Sequence, residues 1–129
     1  MKNYFELIVL TAAEEDYASK ILDFIEQKEK YFSYRLFKNH CIVKQHLYLF
    51  KNLNVLTKNR AIEDILIVDN CVRNFALFVC NGIPILEYRG SNDDFELCKL
   101  CNLLVQMSTI KNWTEYIKQN IVKFLMKNE

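Results

Sequence analysis

The sequence predicts an α/β fold with a largely parallel sheet, on three observations. Short apolar runs rich in β-formers recur at Phe5–Leu10, Tyr31–Phe37 and Ile65–Val68. Amphipathic helical patterns stand between and after them. Gly and Pro number only two and one, which argues for regular elements rather than linkers. Strands alternating with helices pack as helices laid on a parallel sheet.

Phe5 to Leu10 is nearly continuous in apolar character, as a strand covered on both faces requires. It ends at Thr11-Ala12-Ala13. Glu14, Glu15 and Asp16 then open a helix, where the helix dipole favours negative charge. Tyr17, Ala18, Ile21, Leu22 and Ile25 recur at helical spacing through about Lys28. Between Tyr31 and Phe37 the period changes, with Phe32, Tyr34 and Leu36 alternating against Ser33 and Arg35 as in a strand. Cys41–Val43 and Leu47–Phe50 read as short strands flanking a turn, followed by an irregular segment around Lys51. Ile65–Val68 is a further strand and stops at Asp69-Asn70. A short helical turn over Val72–Phe78 leads to Asn81-Gly82, a turn dipeptide, and to Ile83-Pro84-Ile85. Two amphipathic helices finish the chain. The first, Asp93–Met107, directs Phe95, Leu97, Leu100, Leu103, Leu104 and Met107 to a core; the second, Trp113–Met126, directs Tyr116, Ile117, Ile121 and Leu125. The 129 residues read as one domain.

A net charge of +1 gives no electrostatic footprint for nucleic acid or an anionic membrane. No apolar run approaches the roughly 20 residues of a membrane helix. The N-terminal apolar stretch is too short for a signal peptide and has no small-residue cleavage site. An intracellular location, cytosolic or nuclear, is the expectation. The five cysteines, Cys41, Cys71, Cys80, Cys98 and Cys101, are an odd number, which suggests reduced thiols. Cys98 and Cys101 form a C-x-x-C pair inside a helical pattern. No second pair follows at zinc spacing, so they read as small buried residues on a helix face.

In α/β sheets, ligands gather beyond the carboxyl ends of the strands. Thr11 and the pair Asp69-Asn70 occupy such positions. Each also has an ordinary structural reading, Thr11 as a helix cap and Asp69-Asn70 as an Asx-type turn. His40 and His46 have no partners at metal or triad spacing and read as structural.

Four segments, in this order and approximate spacing, carry a family resemblance: Leu7–Ala13, Tyr31–Cys41, Ile65–Asn70, and Asn81–Ile85 with the acidic helix start Asn92–Leu97. They resemble the Fcp/Scp-type (NLI-interacting-factor-like) phosphatases of the haloacid-dehalogenase superfamily over about residues 4–107, with a helix expected at 113–127. The resemblance implies a Rossmann-like three-layer sandwich and Mg²⁺-dependent hydrolysis of phosphoserine or phosphothreonine through an aspartyl-phosphate. It implies that Thr11 hydrogen-bonds the phosphoryl group and that Lys51, with Lys44 and Lys58 as fallbacks, neutralises its charge. Asp69 would coordinate magnesium with Asn70 as a ligand or neighbour, in keeping with that ion's preference for oxygen. Arg35 would pair with a substrate phosphate or acidic flank. The partner implied is a phosphoprotein or phosphopeptide.

Family members begin with a strand ending in Asp-x-Asp-x-Thr, whose first Asp is the nucleophile and whose second is the general acid and base. No Asp-x-Asp occurs in this sequence. The expectation is therefore an incomplete sheet missing its first strand, no complete catalytic set, doubtful magnesium binding, and no turnover by this chain alone. That strand lies centrally in the family's sheet, between the strands of Thr11 and Asp69. Buried backbone groups left unpaired there cost about 1–3 kcal/mol each, so the expectation is that the two strands close on each other, that a partner chain or a second copy in a homo-oligomer donates a strand, or that the sequence is an incomplete gene product. The alternative is a non-catalytic binding or scaffold module. It resembles the phosphatase-like subunit of the mitochondrial inner-membrane translocase, which adds a mitochondrial location as the alternative.

Overall fold

A parallel strand pair needs a crossover, and helix α1 (Glu15–Ile25) supplies it between β1 (Ile8–Leu10) and β2 (Tyr34–Leu36). The computed structural model describes residues 1–45 and 48–122. They fall into two units, Met1–Asn52 and the residues from Leu53 onward. The architecture is mixed helix and strand with small parallel sheets.

In the first unit Ile8, Val9 and Leu10 lie opposite Tyr34, Arg35 and Leu36. Ala18 and Leu22 of α1 pack with Phe37, Val9, Ala13 and Phe32 into the core. The helix thus buries a narrower face than its sequence suggests. Tyr17, Ile21 and Ile25, expected in the core stripe, are 67%, 45% and 48% exposed. Two strands about 5 Å apart make a narrower platform than the 10–12 Å body of a helix, so the flank of the stripe is left uncovered. An antiparallel hairpin follows, β3 (Cys41–Lys44) with β4 (Tyr48–Lys51), in which Cys41 faces Lys51. Gln45 takes a positive φ of 55° in its turn. Lys51 therefore ends a strand rather than sitting in an irregular segment. His46 and Leu47 lie outside the described residues, as does the end of the C-terminal helix with Leu125.

In the second unit β5 (Ile67–Asp69) pairs in parallel with β6 (Gly82–Pro84), Asp69 opposite Pro84. Their crossover is a 3₁₀ segment, Val72–Asn81, kinked at Phe75 and Phe78. The expectation of a turn at Asn81-Gly82 is corrected here. Asn81 is buried, and its amide donates to the carbonyls of Ile62 (2.7 Å) and Ile65 (2.9 Å). Gly82 is extended and begins β6. It is glycine because the fully buried ring of Phe75 lies against it: a Cβ there would stand 2.0 Å from Phe75 Cε2.

Helix α2 (Glu96–Met107) starts later than expected, after Asp94 Oδ1 has accepted a hydrogen bond from Glu96 N–H (3.0 Å). Leu100, Leu103, Leu104 and Met107 pack with Ile83 and Ile117. Phe95 and Leu97 do not; they are 60% and 68% exposed. Phe95 projects from the opposite side, and Leu97, although one heptad before Leu104 on the same side, lies in the first turn beyond the core. Cys98 is exposed as well, correcting its reading as a buried residue, because it too opposes the Leu100–Leu104–Met107 face. All five cysteines are free thiols. Helix α3 (Trp113–Ile117), capped by Asn112 Oδ1 accepting from Glu115 N–H (3.1 Å), runs into a wider π turn over Lys118–Val122. Among the described residues no helix is long and apolar enough to cross a membrane.

Candidate functional site

Thr11 follows the last residue of β1. Its N–H donates to Leu36 O (2.9 Å), extending the strand pairing, and its Oγ1 accepts from Ala13 N–H (3.1 Å), closing a small turn before α1. A hydroxyl that accepts in this way retains its own O–H as a donor. Thr11 O accepts from the Cys41 thiol at a sulfur–oxygen distance of 3.8 Å, and Cys41 is the register partner of Lys51 across the hairpin. Cys41 therefore links the Thr11 turn to the end of β4 where Lys51 stands. Burial pushes the Cys41 thiol up, and the positive charge of Lys51 pulls it the other way. Lys44 is exposed at the far end of the same hairpin, and Lys58 is exposed in the second unit.

Arg35 is committed differently. Its guanidinium donates through Nη1 to Asp23 (2.7 Å) and through Nη2 to Glu26, whose side chain is 7% exposed. Glu26 also accepts from the N–H groups of Tyr31 (2.6 Å) and Phe32 (2.8 Å). The fork of Arg35 thus ties α1 to β2. His40 accepts through Nδ1 from Phe37 N–H (3.2 Å), a local turn contact.

Asp69 stands at the carboxyl end of β5 and is 5% exposed. Among the described residues it and Asn81 are the buried polar side chains. Its Oδ1 accepts from Cys71 N–H (2.9 Å), the bond of an Asx-type turn. The Asn74 amide donates as well, at 3.1 Å to Oδ1 and 3.2 Å to Oδ2. Asn70, next in the chain, is exposed. Nothing in the sequence reading singled out Asn74. The available signal was a lone short amide within the apolar run Val72–Cys80, five residues after the candidate aspartate.

Asp69 and Asn70 supply a carboxylate and an amide carbonyl, the oxygen donors magnesium takes alongside water and phosphate oxygen. They fit part of such a shell. Among the described residues no group of three or more His, Cys, Asp or Glu side chains is arranged to hold a metal. The candidate residues divide between the units: Thr11, Arg35 and Lys51 in the first, Asp69 and Asn70 in the second.

The sequence pattern of NLI interacting factor-like phosphatases matches residues 1–114. CTD small phosphatase-like protein 3 of Caenorhabditis elegans is 34% identical over 110 residues, covering 85% of this chain and 37% of that protein. CTD small phosphatase-like protein 2 of Dictyostelium discoideum is 33% identical over 118 residues, covering 92% and 20%. The mitochondrial import inner membrane translocase subunit TIM50 of Candida glabrata is 30% identical over 109 residues, covering 84% and 22%. The chain spans between a fifth and two-fifths of the length of these relatives.

Proposed function

The chain belongs to the NLI interacting factor-like phosphatase family, and from that premise we propose that it carries the phosphate- and metal-binding part of a phosphoserine/phosphothreonine phosphatase domain. The observation that carries this reading is Asp69, a nearly buried carboxylate at the carboxyl end of a parallel strand. Ligands collect at such strand ends, and a carboxylate held out of bulk water is a natural anchor for a cation. Asp69 and Asn70 would hold Mg²⁺, which when bound would neutralise charge on a phosphoryl group. Thr11 would donate a hydrogen bond from its hydroxyl to a phosphoryl oxygen, and Lys51 would offset phosphoryl negative charge. We assign Arg35 to structure, because a phosphate would have to displace Asp23 and Glu26 from its guanidinium.

Phosphoester hydrolysis by this family's chemistry needs an aspartate nucleophile, and the 129 residues contain no Asp-x-Asp. We therefore propose that this chain does not turn over phosphoesters by itself. The same observation favours a second reading, a non-catalytic module that binds a phosphoprotein or phosphopeptide. In either reading the complete domain is a three-layer sandwich of haloacid-dehalogenase type. Among the described residues β1 pairs with β2 and β5 pairs with β6; a strand donated by another chain or a second copy would extend either sheet.

The test is hydrolysis of para-nitrophenyl phosphate by the 129-residue chain with Mg²⁺, beside the Asp69→Ala variant. The expected result is no difference between the two. Turnover that Asp69→Ala abolishes would overturn the proposed inactivity. Phosphopeptide binding without turnover, weakened by Thr11→Ala and Lys51→Ala, would select the binding module.

A further inference from the structure

A carboxylate at a strand end does not fix its own plane, because the terminal torsion of Asp is broad and roughly two-fold. Asp69 is fixed from outside. The Cys71 N–H pins Oδ1, and the Asn74 amide lies across both oxygens. The amide's orientation follows from chemistry: an ionised carboxylate only accepts, so the NH₂ rather than the carbonyl of Asn74 must face it.

Asn74 is itself held. Its backbone N–H donates to Cys71 O (3.0 Å), closing the first turn after β5. The next residue, Phe75, is fully buried with its ring against Gly82 of β6, the strand paired with β5. The amide therefore sits between a closed turn and a buried anchor, and Asp69 O accepts from the N–H of Ile85 (3.1 Å), the residue after β6. The Cys71 and Asn74 supports of this carboxylate both come from the β5–β6 crossover.

We infer that Asn74 is a positioning residue that holds the Asp69 carboxylate in the plane in which it receives a divalent cation. The inference rests on the reading of Asp69 as a metal ligand. Outer-shell partners of ligating carboxylates commonly change metal affinity by about 10–100-fold when removed. A merely structural role for Asn74 would change stability and leave affinity alone.

The experiment titrates Mn²⁺, a paramagnetic stand-in for Mg²⁺, into the 129-residue chain and reads free ion by electron paramagnetic resonance. Wild type, Asn74→Ala, Asn74→Ser and Asp69→Ala are compared. Asn74→Ala should weaken Mn²⁺ binding about tenfold or more, Asn74→Ser, which keeps one donor, should fall between, and Asp69→Ala should lose specific binding. If Asn74→Ala does not fold, Asn74→Leu, which keeps the shape and removes the donors, carries the same comparison. Affinity within twofold of wild type, or tighter, in a folded donor-less variant overturns the inference and leaves the metal reading standing. Wild-type binding no better than that of Asp69→Ala overturns the metal reading, and the inference with it.

Discussion

Gly82→Ala is a one-methyl change whose cost is set by a single contact. The backbone at Gly82 is extended, with φ −95° and ψ 133°, so alanine meets no conformational strain there. Restricting the unfolded chain would even favour the variant by about 0.4–1 kcal/mol. Against that, the new Cβ would lie 2.0, 2.1 and 2.8 Å from Cε2, Cδ2 and Cζ of Phe75. Carbon atoms rest about 3.5–4.0 Å apart, so the ring must retreat by roughly 1.5 Å. Phe75 is fully buried, and overpacking of this kind costs about 1–3 kcal/mol or more. The steric effect wins, with a net loss of about 2 kcal/mol. Urea unfolding followed by Trp113 fluorescence measures it, since this lone tryptophan packs against the Ile83–Met107–Ile117 cluster. The contact is isolated by repeating the change in a Phe75→Val background, where the three clashing ring carbons are gone. There Gly82→Ala should be neutral or slightly stabilising. A loss below about 0.5 kcal/mol in the wild-type background, or an equal loss in both, would refute the reasoning.

Two further outcomes follow from the hydrogen bonds. The Arg35 guanidinium, aided by the N–H groups of Phe32 and Tyr31, holds the Glu26 carboxyl down from 4.5 to about 2. Its stabilising contribution should be fully present above about pH 4.5 and be lost as pH falls through about 2; a carbon-13 titration of Glu26 with a midpoint near 4.5 would contradict this. Asn81→Leu strips the Ile62 and Ile65 carbonyls of their shared donor in a buried site and should cost about 2–3 kcal/mol in the same urea assay; a change under about 0.5 kcal/mol would mean water or backbone replaces the amide.

What the sequence disclosed and what it hid divide along physical lines. Periodicity reports which side of an element is apolar, so β1, α1, β5 and α2 were legible, and strand-end reasoning picked out Thr11 and Asp69. Periodicity does not report how much partner surface exists. Tyr17 and Ile21 continue a valid helical stripe, yet a two-stranded sheet is too narrow to cover them. Asn81-Gly82 misled for a related reason. As a dipeptide it favours turns, but its glycine answers to the Phe75 ring and its asparagine to carbonyls 16 and 19 residues away. Asn74 was hidden because its partner is a side chain across a turn whose kink no local pattern encodes.

Among the described residues, Asn81 and Asp69 are the buried polar residues of the second unit, and they differ in what burial costs. Asn81 is accounted for by folding: a neutral amide, two carbonyls, no charge taken from water. Asp69 is not. A neutral asparagine would close the same Asx-type turn with Cys71 N–H at the same strand end. Burying a charge instead costs several kcal/mol unless hydrogen bonds or a counter-charge offset it. Cys71 and Asn74 supply hydrogen bonds that orient the carboxylate. Under the proposed cation role, Asp69→Asn should therefore keep the turn and lose Mn²⁺ binding; retained Mn²⁺ binding in that variant would remove the role.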